Sequence, residues 1–400
     1  MDWISQRINN LSESETLAMT RKCRELKAMG HHVINLSIGE PDFNTPEFIK
    51  EAAKTAIDQN FTHYPPVAGY LELREAICQK LKRDNNLDYK PEQIIVSGGA
   101  KHSIANVILS LVDPGDEVLV PIPYWVSYKE LIKLAEGVPV YIEAPISQDF
   151  KITPEQLEAS ITPLTKLMIY SSPCNPSGSV YTKSELEALA NVLVKYPRVH
   201  VISDEIYEHI NFTGKHESVA QFDSIKGQVI VINGVSKGFS MTGWRLGYMA
   251  GPLSIAKACD KLQGQVTSGI CTISQRAAIT ALLADPNESK DLKEMQQAFL
   301  NRRNLVLKLL REIPNIIVNE PPGAFYVFPN FTAYTGKMHG SQKIENCDQL
   351  CDYILNEVHV ALVPGSAFGN PNCIRISYAA SEEQLIEAVA RIRKALDKLS

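Results

Sequence analysis

From about residue 90 the chain alternates short β-branched runs with longer stretches whose apolar positions recur at helical spacing. The short runs are 93–97, 117–121, 138–143, 166–171, 199–203 and 229–233. Each is bounded by turn residues and too short for a helix, so each reads as a strand. Strands separated mainly by helices predict an α/β fold with a mostly parallel central sheet and helices on both faces. In open sheets of this kind, ligands gather beyond the carboxyl ends of the strands.

Ahead of that region, Ser14 followed by ETLAMTRKCRELKAMG reads as a capped helix ending at Gly30. Residues 33–36 make a short extended run, and SIGEPDF turns the chain. Thr45-Pro46-Glu47 places an N-cap before a proline at the first helical position, opening a helix to about Gln59. From about residue 286 the rhythm changes. A long polar helix over 287–313 precedes strand-like 315–319 and 324–328, a helix near 345–357, the extended CIRISYA and a terminal helix from Ser381. This is a second, α+β unit. No repeats, low-complexity tracts or Pro/Gly/Ser linkers interrupt the chain.

The chemistry-bearing residues fall at strand ends. After the run 229–232, Asn233-Gly234 ends the strand and Lys237 follows among Ser236, Gly238 and Ser240. A lysine beside a core strand is partly desolvated, which disfavours the ammonium and makes the amine a usable nucleophile or base. Arg245, between Trp244 and a further apolar run, offers a planar fork suited to phosphate. Together they describe a Schiff-base lysine with a phosphate anchor; Lys237 by itself would read as an ordinary surface lysine. Gly98-Gly99-Ala100-Lys101 follows a strand and opens a helix, where backbone N–H groups attract an anion. A glycine pair alone signals this only weakly. Trp125 in IPYWVSY would commonly be core, Ser172–Gly178 a plain Pro/Asn/Gly turn, and Asp204 a commonplace acid at a strand end. Arg375 alternates with apolar neighbours on a strand, where an unpaired charge is costly, so a bidentate partner is expected.

Composition narrows the class without choosing the chemistry. The 400 residues are 44% hydrophobic and 21% charged with net charge −5, which suits a globular protein with a large core. No basic excess points to nucleic acid or anionic lipid. The sequence MDWISQRINNLSESE has no basic segment before an apolar core, and no apolar run reaches the roughly 18 residues of a membrane span. The eight cysteines are scattered, as in reduced thiols, and a cytoplasmic location is expected. Cys347 and Cys351 read as packing residues and His31-His32 as a loop, so no metal site is predicted.

The string SKGFSMTGWRLGY closely resembles the signature of class I pyridoxal 5'-phosphate (PLP) aminotransferases, nearly end to end along the chain. The resemblance implies fold type I, with PLP as cofactor, amino acids and 2-oxo acids as substrates, and Lys237 carrying the cofactor as a Schiff base. It implies that backbone at Gly99, Ala100 and Lys101, with Ser236 and Arg245, holds the phosphate end, that Trp125 stacks on the ring, and that Asp204 faces the pyridine nitrogen. Tyr207 would hydrogen-bond the ring oxygen O3′. Asn175, in a motif resembling Asn-Pro-Thr/Ser-Gly, would share that oxygen and the substrate carboxylate, with a cis Asn175–Pro176 bond. Arg375 would bind the α-carboxylate and Gly39 close over the substrate, while Glu205 is left as structural. Tyr64 matches a tyrosine that reaches the phosphate of a neighbouring subunit, implying a homodimer with shared sites. The implied division is 1–45 as an N-terminal arm and part of a small domain, 46–285 as the large PLP-binding domain, and 286–400 as the small C-terminal domain.

Within the family the match is closest to bacterial aspartate and aspartate–prephenate aminotransferases, where a lysine matching Lys101 and a threonine matching Thr16 bind the distal carboxylate. The expected reaction moves the amino group of L-aspartate to 2-oxoglutarate. Prephenate or aromatic amino-acid transamination is the alternative, followed by a C–S lyase, decarboxylase or synthase on the same scaffold. A DNA-binding regulator is disfavoured because the motifs begin by residue 35. Gly264 and Gly269 have P-loop spacing, but Ile270 stands where that loop needs lysine.

Overall fold

In chain order the first eight strands are β1 (Ile34–Asn35), β2 (Ile94–Ser97), β3 (Glu117–Ile122), β4 (Val138–Glu143), β5 (Thr165–Ser171), β6 (His200–Asp204), β7 (Val229–Gly234) and β8 (Gly247–Ala250). The computed structural model describes residues 3–13 and 15–400. Strands β2 to β8 form one sheet in the order β2-β8-β7-β6-β5-β3-β4. The parallel pairs are β4–β3, β3–β5, β5–β6 and β6–β7, while β8 runs antiparallel to both of its neighbours. Six strands therefore share one direction. All six were legible as apolar runs to within a residue at each end.

The reason lies in burial. Every residue of β7 is buried, with Val229 and Val231 in one core layer and Ile230 and Ile232 in the other. A strand covered by helices on both faces has no polar side to alternate with, and reads as a continuous apolar run. Each buried Val or Ile contributes roughly 1.5–3 kcal/mol.

The second unit carries a small antiparallel sheet of Val363–Pro364, Ile374–Ser377 and Tyr326–Val327, in that order. Helices Lys290–Arg311, Cys347–Val358 and Glu382–Leu396 pack around it. Ser289 and Ser381 cap the first and last of these through Leu292 N–H and Gln384 N–H. The chain's beginning joins here: β1 pairs in parallel with Val360–Ala361, and Ser377 N–H donates to Leu36 O at 2.9 Å. Cys347 and Cys351 lie buried in the core.

Four expectations change. Ser14 lies outside the described residues, and the helix after it runs Glu15–Ala28. Thr45 caps nothing: Pro46 is the N-cap of Glu47–Asp58, and the Thr45 hydroxyl instead donates to Ser240 O and accepts from Trp244 Nε1. Its capacity goes to fastening the loop after Lys237. Residues 315–319 form no strand but only an Ile317–Asn330 bridge, with Ile317 59% exposed. The apolar run that follows Arg245, not counted among the expected strands, becomes β8 and lies between β7 and β2.

Candidate active site

Strand ends β2, β3, β5, β6 and β7 open on one cavity of about 280 Å³. At its floor stands Lys237, three residues past β7, with Nζ donating to Gly39 O at 2.5 Å. The amine keeps some open surface, yet protein surrounds it on nearly every side. That burial, with the nearby charges of Arg245 and Arg375 and against those of Glu40 and Asp204, pushes the ammonium down to about 8. Asp204 ends β6 one strand over, its register partner being Ile232 of β7. Its carboxylate is buried, which pushes it up to about 6. Hydrogen bonds from the Tyr128 hydroxyl (2.7 Å) and the Ile206 N–H (3.3 Å) partly offset that rise.

Above β2, Gly99 caps the helix Ala100–Leu111 at φ 95°, a conformation that favours glycine. A Cβ there would come within 2.6 Å of the Arg245 guanidinium. Gly247 of β8 makes the matching concession, since its Cβ would sit 2.3 Å from Ala100 N. The two glycines let the turn press onto β8 and bring the helix's free N–H groups beside Arg245. Arg245 itself has φ 54°, is exposed, and donates to Gly98 O and Thr242 O. A helix N-terminus beside an open guanidinium is a cradle for phosphate.

Opposite, Arg375 on the strand Ile374–Ser377 is only 2% exposed. Its Nη1 donates to Asn175 Oδ1 at 3.0 Å and its Nη2 to Ser37 O at 2.6 Å, while Nε is buried without a partner. No carboxylate among the described residues pairs with it. A buried, half-satisfied guanidinium is costly unless an anion completes it. Asn175 is presented by the SPCNPSG turn after β5, and the Asn175–Pro176 bond is cis as expected. Tyr207 is buried, and its hydroxyl lies 2.8 Å from that of Tyr326.

Every predicted site residue except Gly99 and Tyr64 lines this cavity: Thr16, Gly39, Ala100, Lys101, Trp125, Asn175, Asp204, Tyr207, Ser236, Lys237, Arg245 and Arg375. Gly99 lies just behind Arg245. Tyr64 stands 96% exposed and takes no part in the cavity of its own chain. Lys101 Nζ lies 5.0 Å from the centre of the Trp125 ring, its ammonium disfavoured by burial and by Arg245. Glu205 accepts from Ser203 and Ser218 and bonds His216, and it does not line the cavity. Among the lining residues that were not foreseen are two phenols, Tyr128 and Tyr326. Both sit in aromatic-rich stretches that read as core.

The residues present fit PLP on three independent counts, a phosphate cradle, a desolvated amine and a buried carboxylate for a ring nitrogen, and the unsatisfied guanidinium of Arg375 suits a substrate carboxylate beside it. Comparison with known proteins agrees. The family model for aminotransferase class I and II matches residues 31–392. The chain is 47% identical over 395 residues to a Petunia hybrida bifunctional aspartate aminotransferase and glutamate/aspartate-prephenate aminotransferase, covering 98% of this chain and 82% of the relative. It is 47% identical to an aspartate aminotransferase of Geobacillus stearothermophilus, covering 98% and 99%. The crystal structure of an aspartate aminotransferase from Rhizobium meliloti superposes with TM-score 0.96 at 41% identity over all of both chains.

Proposed function

Since the chain belongs to the class I and II aminotransferase family, a PLP-dependent enzyme of fold type I, we propose that it transfers the amino group of L-aspartate to 2-oxoglutarate. The products are oxaloacetate and L-glutamate, formed in a ping-pong sequence. The observation that carries this reading is the buried Arg375, lacking any carboxylate partner among the described residues, in the same cavity as the desolvated Lys237.

Bound PLP supplies an aldehyde that exchanges amines and a ring that accepts the electron pair left when the Cα–H bond breaks. The chain's own residues do the rest. Arg245, Ser236 and the N–H groups following Gly99 hold the phosphate, and Trp125 flanks the ring. Asp204 holds a proton on the ring nitrogen. Tyr207 and Asn175 bind the ring oxygen. Arg375 and Asn175 orient the substrate α-carboxylate, and Lys101 with Thr16 receives the distal one. Lys237 Nζ would take the Cα proton as general base and deliver it as acid to the carbon of the former aldehyde, which completes the amino transfer. Gly39, on the segment that β1 ties to the second unit, closes over the substrate and excludes water.

The same reading makes residues 46–285 the cofactor-holding domain, with 286–400 and part of 1–45 as the smaller one. It places the protein in the cytoplasm as a homodimer in which Tyr64 reaches the neighbouring phosphate. The exposure of Tyr64 supports the last point. A prephenate activity is favoured by Lys101 and Thr16 at the cavity and by the double activity named for the Petunia relative.

Single-turnover spectroscopy tests the proposal. Aspartate, glutamate, alanine, tyrosine and arogenate (the amino acid formed from prephenate) are mixed separately with the PLP-loaded protein. Fast bleaching of the visible band with aspartate and glutamate, and release of their oxo acids, is expected. Comparable speed with arogenate adds the prephenate activity. No oxo acid from any donor would move the assignment to a lyase or synthase.

A further inference from the structure

Tyr326 occupies the strand Tyr326–Val327, paired with Ile374–Ser377, and is fully buried. Its hydroxyl meets the Tyr207 hydroxyl at 2.8 Å, with the two rings T-shaped at 5.8 Å. Its ring lies 4.6 Å from the Arg375 guanidinium carbon, which Phe368 flanks at 5.0 Å. A Cβ on Gly39 would come within 2.9 Å of its hydroxyl. One side chain therefore touches the guanidinium, the phenol and the residue whose carbonyl holds the Lys237 amine.

The direction of the Tyr326–Tyr207 bond matters, because each hydroxyl has one proton. Were Tyr207 the donor, its proton would be spent on Tyr326 and unavailable to a ring oxygen. Tyr326 is the phenol lying against the Arg375 cation, and positive charge makes a phenol the more acidic of two and the better donor. We propose that Tyr326 is a positioning residue that donates to Tyr207, leaving the Tyr207 proton free for the cofactor oxygen, while its ring holds the Arg375 guanidinium for the substrate carboxylate. The inference rests on the aminotransferase reading above. It links the two halves of the site, since Tyr207 follows β6 of the large sheet and Arg375 sits in the small one. The charged groups facing the pair are Arg375, Asp204 and Lys237.

The test uses PLP-loaded wild type, Tyr326→Phe and Tyr326→Leu, with Lys237→Ala as the reference for covalent attachment. Two quantities are read without turnover. One is the pH midpoint of the visible cofactor band; the other is the dissociation constant of maleate, an unreactive dicarboxylate. Tyr326→Phe keeps the ring and removes the donor. Its midpoint should rise by about half a unit, roughly threefold, as the weakened Tyr207 bond raises proton affinity at the lysine-linked nitrogen. Its maleate constant should stay within about twofold. Tyr326→Leu removes the ring as well and should also weaken maleate by about fivefold or more. A wild-type midpoint in Tyr326→Phe overturns the hydroxyl role. Unchanged maleate affinity in a Tyr326→Leu protein with wild-type circular dichroism overturns the ring role. The Phe variant conserves shape, so the first outcome holds even if Leu fails to fold. A wild-type protein with no Lys237-dependent band would sink the aminotransferase reading together with this inference. A Lys237-dependent band indifferent to Tyr326 sinks the inference alone.

Discussion

The Tyr128 hydroxyl, from the helix Ser127–Leu134 that follows β3, donates to Asp204 Oδ2 at 2.7 Å at the end of β6, and both groups are buried. Burial still wins over that bond and holds the carboxyl near 6, above its ordinary 3.8. A folded-state value above the unfolded one gives stability that is present below about 4 and lost as pH rises through 6. Ionised Asp204 should therefore cost the cofactor-free protein about 2–3 kcal/mol at neutral pH. Asp204→Asn keeps an acceptor for Tyr128 and removes the charge. The cofactor-free variant should melt a few degrees higher at pH 7.5 in calorimetry, while kcat of the loaded enzyme falls by about 10²-fold or more. A lower melting point with intact kcat would remove Asp204 from the site.

Lys237 should show its environment in the rate at which the cofactor-free protein captures PLP. Only the neutral amine attacks an aldehyde, and its ordinary value of 10.5 is lowered to about 8. At pH 7 the neutral fraction is then about 300 times that of an ordinary lysine. Stopped-flow capture should rise about tenfold per pH unit below 8 and flatten above it. A rise continuing past pH 10 would place the amine in water. Lys237→Ala should lower turnover by more than about 10⁴-fold.

Arg375→Ala should separate binding from stability. The substitution removes a buried cation with no carboxylate partner among the described residues. Maleate affinity and kcat/KM for aspartate should fall by about 10²-fold or more. The cofactor-free protein should lose little stability in urea, or gain some, because the ordinary cost of removing a buried charge comes from the partner it leaves behind.

Lys101→Ala should alter choice of substrate more than rate. With the ammonium gone from beside Trp125, kcat/KM for aspartate and glutamate should drop about tenfold relative to alanine. An equal loss for all three would assign Lys101 to the phosphate end alone.

A pair outside the cavity should behave in the opposite way to Arg375. Lys80 and Glu208 are both buried and ion-paired, and Asn85 bonds to each of them. Burial alone would raise the Glu208 carboxyl, but Lys80, His209 and His216 hold it well below its ordinary range. Lys80→Met should cost about 3–5 kcal/mol in urea unfolding, and adding Glu208→Leu should restore most of it.

What could be read in advance follows from how each element is stabilised. Strands β2, β3, β5, β6 and β7 are buried almost throughout, so their apolar runs stand out without context, while the edge strand β4 buries only Ile142. β8 has only Tyr248 and Met249 between Gly247 and Ala250, and its strand character comes from lying between β2 and β7. Thr45 looked like a cap because capping is local, yet its hydroxyl is used by Ser240 and Trp244, some 200 residues away in sequence. Arg375 was legible because a charge among apolar strand neighbours needs a reason, whereas Lys237 and Asp204 stood out through the family resemblance of the strings around them. Tyr128 and Tyr326 were not legible, because a phenol among aromatic residues is equally at home in a core, and only its partner's identity separates the two roles.

The pairing of β1 with Val360–Ala361, and the bond from Arg375 to Ser37 O, also sets an order of events during synthesis. A ribosome adds about 5–20 residues per second, so β1 waits on the order of half a minute for the strand it pairs with. In the last third of that interval the Lys237 strand and the whole of its sheet are already synthesised and can assemble. The last component delivered is the guanidinium that receives substrate, so a nascent chain acquires its cofactor pocket before it can recognise an amino acid.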